Sequence, residues 1–337
     1  MEIIARIAAR RRPLSAFCAG LAAAACLLLA LPGTTRAQAA YPDKPIRVLV
    51  PFSAGALTDV IARIYAERVG QALGQSMIVE NKPGAGGVVA AQQLLNAPAD
   101  GYTIMFVSSS HAVNPSLQPK LPYDTRKDFA GIALVAASPT VVTVRPGLKA
   151  ESLQQLIDLA RKSPGSLNFG SAGAGSATHL AGEYFAGEAG IRMTHIPYKG
   201  VQEAVAEAMA GRIDVTFPPI ALVLPQVQAG KLRALAVTSP QRSPQMPDTP
   251  TVQELGLKDF DYSIWYAAVA RAGTPPAVLQ KLAAAMRKVG AMPDVQAQLG
   301  NQGLVTADLQ LGAFDQYIDK EIDKLGRIVK ATGAAAQ

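Results

Sequence analysis

The amino-acid sequence predicts an α/β protein with two doubly wound lobes. Short apolar segments alternate with helical patterns from Tyr41 onward, which is the order that produces a sheet covered by helices. The alternation starts again after the apolar segment at residues 138–147, which indicates a second lobe. Aromatic residues are few and Ala, Val and Leu are abundant, as expected when strands are buried on both faces.

The first 39 residues have the pattern of a cleaved signal peptide. Residues 1–12 are basic, residues 16–31 form an apolar run, and Ala37-Gln38-Ala39 has the small-x-small pattern of a cleavage site. The apolar run is shorter than the ~20 residues of a transmembrane helix. We therefore predict export to the periplasm and a mature chain that starts near Ala40.

Both cysteines of the chain, Cys18 and Cys26, lie inside this leader. The mature chain is therefore expected to have neither disulfides nor thiolate chemistry. Lipid attachment at Cys26 is the alternative, but a second apolar run at residues 27–31 follows this cysteine, which favours a periplasmic protein without a lipid anchor.

The net charge of +7 overstates the basic character of the mature chain, because the leader contributes more than half of it. No basic tract and no alternation of basic and aromatic residues occurs after residue 40. The sequence therefore predicts no nucleic-acid partner.

In the first half of the chain, strands end in turns that lead into helices. Ile61, Tyr65 and Val69 recur at i+4 spacing and predict a helix that begins near Thr58. The other predicted elements here are strands at 46–52, 76–81 and 101–109 and a helix at 88–96.

The second half repeats this order, and Ser152 with Gln155 forms a capping box for its first helix. Thr251 with Glu254 predicts a further short helix. The remaining predicted elements are strands at 167–171, 193–200, 213–219, 231–239 and 262–270 and helices from 177, at 202–211, at 276–289 and at 314–331. Strands at 137–144 and 262–270 are the expected crossings, so that residues 40–140 with 265–337 form one lobe and 141–264 the other.

The glycine-rich segment "NFGSAGAGSATHLAGEYF" lies between a predicted strand and a predicted helix. A P-loop is excluded because no lysine follows Gly175, and a dinucleotide fingerprint is disfavoured because Thr178 replaces its third glycine. The serine-hydrolase elbow also fails, since Phe169 precedes Gly170-Ser171.

Such a loop still offers the unpaired N–H groups of a helix N-terminus, which suit a carboxylate as well as a phosphate. A similar loop occupies residues 52–59, so one such loop is expected in each lobe. Local sequence leaves two interpretations open: a pair of anion-binding loops facing a cleft, or two ordinary turns between strand and helix.

Further segments carry a resemblance to a known family. They are "YPDKPIRVLVPFSAG", "VENKPGAGG", "ADGYTIMF", "NPSLQPKLPYDTRKDF", "NFGSAGAGSATHLAGEYF", "HIPYKG", "AGKLRALAVTS", "PDTPTVQELG" and "AGTPPAVLQKL". In this order, and over nearly the whole mature chain, they resemble the Bug family of periplasmic solute-binding proteins, the TctC-like receptors of tripartite tricarboxylate transport.

The resemblance implies a type II periplasmic-binding-protein-like fold, with two doubly wound lobes joined by two crossing strands. It implies that a small carboxylate-containing solute binds in the cleft between the lobes, partly through ordered waters. Delivery to the membrane subunits of a tripartite tricarboxylate-type transporter would follow. A monomer without cofactor, metal or catalysis is expected; the alternatives are a secreted enzyme that uses the same cleft and a solute sensor for a signalling partner.

Carried over by position, the implied ligand-binding residues form three groups. The first loop contributes Phe52, Ser53, Ala54, Gly55 and Asp59; the loop after the third strand contributes Ser108, Ser109 and Asn114; the second loop contributes Ser171, Ala172, Gly173, Ser176 and Thr178. The chain departs from the family pattern at Ala56, where a glycine is usual, and at Pro218-Pro219, where polar residues are usual.

On local grounds Asp59 is a helix-capping residue, and the resemblance adds a role on the ligand side. His111, His179 and His195 share no metal-ligand spacing, so we expect structural roles, with His179 orienting the second loop. Trp265, the single tryptophan, lies in an expected crossing strand, where packing is the default.

Overall fold

The computed structural model of the chain describes residues 41–118 and 120–332; the predicted signal peptide lies outside this part. Within the described residues, no helix has the length and apolar character needed to cross a membrane. The strands are, in chain order, β1 Ile46–Val50, β2 Met77–Asn81, β3 Thr103–Ser108, β4 Phe129–Pro139, β5 Val141–Val144, β6 Asn168–Ser171, β7 Thr194–Pro197, β8 Val215–Thr216, β9 Arg233–Val237, β10 Ser263–Arg271 and β11 Val305–Gln310.

Helices connect these strands along the chain. They are α1 Leu57–Leu73, α2 Val88–Leu95, α3 Ser110–Leu117, α4 Leu153–Lys162, α5 Ala177–Ala189, α6 Val201–Met209, α7 Ile220–Gln228, α8 Pro276–Gly290, α9 Pro293–Asn301 and α10 Leu311–Thr332, with a 3₁₀ turn at Ala85–Gly87. The i+4 pattern of α1 is confirmed, because Ile61, Tyr65 and Val69 are at most 1% exposed.

The strands form two sheets. The first has the order β11-β4-β10-β3-β1-β2 and the second the order β7-β6-β8-β5-β9. In the first sheet β1 pairs in parallel with β2 and β3, and in the second β6 pairs in parallel with β7 and β8. Because parallel strands end at the same edge, the loops after β1 and β3 leave the first sheet together.

The strands that carry the chain between the two sheets run antiparallel to their neighbours. β4 leads out of the first sheet and β10 leads back into it, so they run in opposite directions and pair antiparallel. β10 also pairs antiparallel with β3, as β5 does with β8 and β9. Each sheet is therefore a parallel half joined to an antiparallel half.

One sequence expectation is wrong, and four elements were not predicted. Thr251 and Glu254 do form the reciprocal capping contacts, but the chain there makes only a turn, because Gly256 adopts a positive φ of 107° and ends it. α3, α7, α9 and β11 were not predicted; α3 and α7 each contain a proline, which obscures the helical pattern.

Thr140 and Thr238 lie where the chain passes between the sheets, and neither is exposed. The Thr140 N–H donates to Thr238 Oγ1 at 2.9 Å, and the Thr238 N–H donates to the Thr140 carbonyl at 3.0 Å. Thr238 Oγ1 also lies 2.7 Å from the carbonyl of Tyr262, which precedes β10. These contacts tie the two crossings side by side.

Candidate ligand-binding site

The first loop, residues 52–56, connects β1 to α1. Ser53, Ala54 and Gly55 are exposed, and the positive φ of Gly55, 82°, turns the chain into the helix. Within residues 41–118 and 120–332, no group accepts a hydrogen bond from four backbone N–H groups at this helix end, those of Ser53, Ala54, Leu57 and Thr58. The first loop is therefore an open set of donors at the positive end of α1.

Asp59 lies behind the first loop and is 2% exposed. Its carboxylate accepts from the Gly55 N–H at 2.9 Å, from Asn81 Nδ2 at 2.8 Å and from Arg63 Nε at 3.0 Å. Burial alone would raise the pKa of Asp59, but these hydrogen bonds outweigh it and the pKa is lowered. Asn81 Nδ2 also donates to the Phe52 carbonyl at 3.0 Å, so Asp59 and Asn81 together hold the loop from behind.

The second loop, residues 172–176, connects β6 to α5 and bonds largely to itself. The Gly173 N–H donates to Ser171 Oγ at 3.1 Å, and the Ala172 N–H donates to Thr178 Oγ1 at 3.0 Å. The Ser176 N–H donates to the Gly173 carbonyl at 3.2 Å. Side chains on both sides of the loop thus take up donors that a ligand would otherwise reach.

Ser176 caps α5, since its Oγ accepts from the His179 N–H at 3.2 Å. His179 Nδ1 in turn accepts from the Gly175 N–H at 3.0 Å, so His179 contacts the loop as expected from its position. In the described part of the chain, three backbone N–H groups here have no acceptor, those of Ala174, Ala177 and Thr178. The second loop therefore offers fewer donors than the first.

The loop after β3 leads directly into α3 and packs tightly. Ser108 Oγ lies 2.9 Å from Ser110 Oγ, and the Ser109 N–H donates to the Trp265 carbonyl at 3.0 Å. Asn114 is 4% exposed and donates to the Gly86 carbonyl at 3.1 Å. The side chains of Ser108 and Asn114 therefore form hydrogen bonds within the protein.

Three segments nevertheless come together around α3. A Cβ placed on Gly175 of the second loop would lie 3.7 Å from the side chain of Leu117. On the other side, a Cβ on Gly87 would lie 3.2 Å from the side chain of Pro51, which precedes the first loop. The end of α3 therefore lies against the second loop, and the 3₁₀ turn beside it lies against the start of the first.

Sequence reasoning missed Arg63 and Asn81 as partners of Asp59 and His195 as a partner of Ser171. Arg63 lies four residues after Asp59 on α1, and this spacing on a helix predicts an ion pair. The other two contacts depend on strand pairing and leave no local signal. No cluster of His, Cys, Asp and Glu suited to a metal ion occurs among the described residues.

A family model described as the tripartite tricarboxylate transporter family receptor, TctC, matches residues 61–334. The chain belongs to this family. Among curated relatives, BugT of Bordetella pertussis (strain Tohama I) is 35% identical over 300 residues, which cover 87% of this chain and 91% of BugT.

Solved structures of periplasmic solute-binding proteins are also similar to this chain. A TctC solute-binding protein from Polaromonas is 29% identical with a TM-score of 0.79, covering 86% of this chain and 99% of that one. An R. palustris protein with adipate is 29% identical with a TM-score of 0.69, covering 87% and 98%. MatC of Rhodopseudomonas palustris, with bound malate, is 28% identical with a TM-score of 0.65, covering 86% and 100%. This TctC-family member is thus a solute-binding protein of the periplasmic type, and the predicted fold class is confirmed.

Proposed function

We propose that the protein captures a small organic carboxylate between the first and second loops and delivers it to a tripartite tricarboxylate-type membrane transporter. The unbonded N–H groups at the start of α1 carry this proposal, because a helix N-terminus with free donors stabilises a negative charge. The relatives that bind adipate and malate support a carboxylate as the ligand.

The proposed ligand-side residues are those expected from the resemblance, with roles that differ. In the first loop, Ser53 and Ala54 offer backbone donors to the solute, while Asp59 acts from behind by holding Gly55. The other members of the proposed site are Phe52, Ser108, Ser109, Asn114, Ser171, Ala172, Gly173, Ser176 and Thr178, of which Ser108, Asn114 and Ser171 act by holding the loops rather than by contacting the solute. Cleavage of the leader, a periplasmic location and a monomeric state belong to the same proposal.

A secreted enzyme would need a nucleophile that a substrate can reach. Ser171 lies 2.6 Å from His195 Nε2, which is the spacing of a serine–histidine pair. Ser171 is fully buried, however, and its Oγ already accepts from the Gly173 N–H. These contacts favour a structural serine and therefore a receptor.

Proline substitution at the first residue of each helix tests the proposal, because it removes one N–H where proline suits a helix. Ala56 and Ser176, which precede these residues, already have the extended conformation that proline requires (ψ of 153° and 157°). With malate and adipate as probes, we expect Leu57→Pro and Ala177→Pro to weaken binding about tenfold, the cost of one hydrogen bond to a charged group. Leu57→Ala and Ala177→Ser keep the N–H and serve as controls.

Binding is measured by calorimetry and by thermal unfolding with each probe, with adipamide as the uncharged control. If adipamide raises the melting temperature as much as adipate, or if neither malate nor adipate binds the wild-type protein, the carboxylate proposal fails. Recovery of the bound compound as a chemical product would instead establish an enzyme.

A further inference from the structure

The second loop lies over a pair of stacked histidine rings. His179 of α5 and His195 of β7 have ring centroids 3.9 Å apart and ring planes inclined by 25°. The ring of Phe169 lies 4.9 Å from that of His195 and 6.2 Å from that of His179. β6 and β7 pair with Phe169 opposite His195, so the parallel register of these two strands places His195 beside Phe169.

Each histidine bonds to a different part of the second loop. His179 Nδ1 accepts directly from the Gly175 N–H at 3.0 Å. His195 Nε2 lies 2.6 Å from Ser171 Oγ, and this oxygen accepts from the Gly173 N–H at 3.1 Å. Gly173 and Gly175 both have a positive φ, 104° and 73°, so the two turning points of the loop are the points the histidines hold.

The Gly175 contact selects the tautomer of a neutral His179 ring. Because Nδ1 accepts a hydrogen bond, the proton of the neutral ring lies on Nε2, which is 3.6 Å from the carboxylate of Glu183. Burial, with a further contribution from His179, lowers the pKa of His195 to about 4, while Glu183 acts in the opposite direction. At neutral pH His195 is therefore uncharged and can stack closely on its neighbour.

We propose that His179 and His195 are positioning residues for solute binding, which hold the second loop so that its free N–H groups point toward the ligand carboxylate. The free N–H group of Ala174 lies between Gly173 and Gly175, and those of Ala177 and Thr178 follow Gly175 within three residues. The solute part of this inference rests on the proposed function, whereas the support of the loop does not.

The decisive comparison is between His179→Leu and His179→Asn. Leucine fills much of the ring's volume but has no acceptor, whereas the asparagine Oδ1 takes the place of Nδ1 and cannot be protonated near neutral pH. Amide hydrogen exchange at Gly175 reads the contact without any ligand. We expect exchange about tenfold faster in His179→Leu and near the wild-type rate in His179→Asn, since one hydrogen bond is lost and then restored.

Binding of malate and adipate provides the second readout. We expect His179→Leu to weaken the affinity for these probes and His179→Asn to restore most of it. His111→Leu is the matched control: His111 is equally buried but lies in the first turn of α3, six residues before Leu117, so it should leave Gly175 exchange unchanged. His195→Leu and His195→Gln repeat the comparison at Gly173, should His179→Leu fail to fold.

The outcomes separate this inference from the proposed function. Unchanged Gly175 exchange in a folded His179→Leu protein overturns the inference, and so does faster exchange with unchanged affinity for malate and adipate. If the wild-type protein binds neither probe while exchange responds as expected, the carboxylate function fails and the histidine support of the loop stands.

Discussion

The two loops have the same design, a strand followed by a turn and a helix N-terminus, but they are held in different ways. Among the described residues, the first loop leaves the Ser53 and Ala54 N–H groups free, and one buried charge, that of Asp59, holds it through Gly55. In the second loop, most backbone N–H groups donate hydrogen bonds to side chains, which are two hydroxyls and an imidazole. Similar sequence patterns thus produce one open loop that a single buried charge supports and one loop that bonds mainly to neighbouring side chains.

This difference predicts that the first loop has a single critical residue. Asp59→Ala removes the carboxylate that accepts hydrogen bonds from the Gly55 N–H and from Asn81 Nδ2. We therefore expect the free energy of unfolding to fall by about 2–3 kcal/mol. Urea unfolding measures the change. Arg63→Ala is the control: the Arg63 side chain is 51% exposed, so its loss should cost less than about 1 kcal/mol. Equal effects of the two substitutions would contradict the single-support picture.

Acid should weaken the second loop before the first. The pKa of His195 is lowered to about 4, whereas histidine in an unfolded chain has a pKa of about 6.5. The unfolded chain therefore takes up this proton first, so the contribution of His195 is present above pH ~6.5 and is lost as the pH falls toward 4. The pKa of Asp59 is lowered as well, so the first loop keeps its charge throughout this range.

The measurement is urea unfolding as a function of pH. Because the His195 ring is partly exposed, we expect this group to account for only about 1 kcal/mol of the loss between pH 6.5 and 4. His195→Gln should flatten that part of the profile. Burial also lowers the pKa of His111 to about 4, so part of the pH dependence should remain in His195→Gln. A profile identical to that of the wild-type protein would show that His195 does not titrate as stated.

Single contacts within the second loop should matter least. Thr178→Val removes the acceptor of the Ala172 N–H, but Ala172 is only half-buried and water can replace the threonine. We expect a loss of about 0.5–1 kcal/mol in the free energy of unfolding. Thr178→Ser keeps the hydroxyl and should behave as the wild type; a loss above that of Asp59→Ala would reverse the order of the two loops.

Much of this arrangement could be predicted from the sequence, because it depends on neighbours along the chain. Gly55 and Gly175 mark the turns, and Ser176 and Asp59 mark the helix starts. Because helix N-termini follow from such local signals, the positions of the two loops could be predicted from the sequence.

Two supports behind the loops, Asn81 and His195, could not be predicted from the sequence, since they depend on how strands pair. Asn81 reaches Asp59 because β2 pairs beside β1, and His195 reaches Ser171 because β7 pairs beside β6. The direction of β10 could not be predicted for the same reason, because it depends on where the chain returns to the first sheet rather than on its composition.

The threonine pair that ties the two crossings has a consequence for motion. We expect the hydrogen bonds between Thr140 and Thr238 to allow the two crossings to bend together, because sliding of one past the other would break them. A hinge motion of this kind changes mainly the distance between the first and second loops, so one pair of spectroscopic labels on these loops would test it.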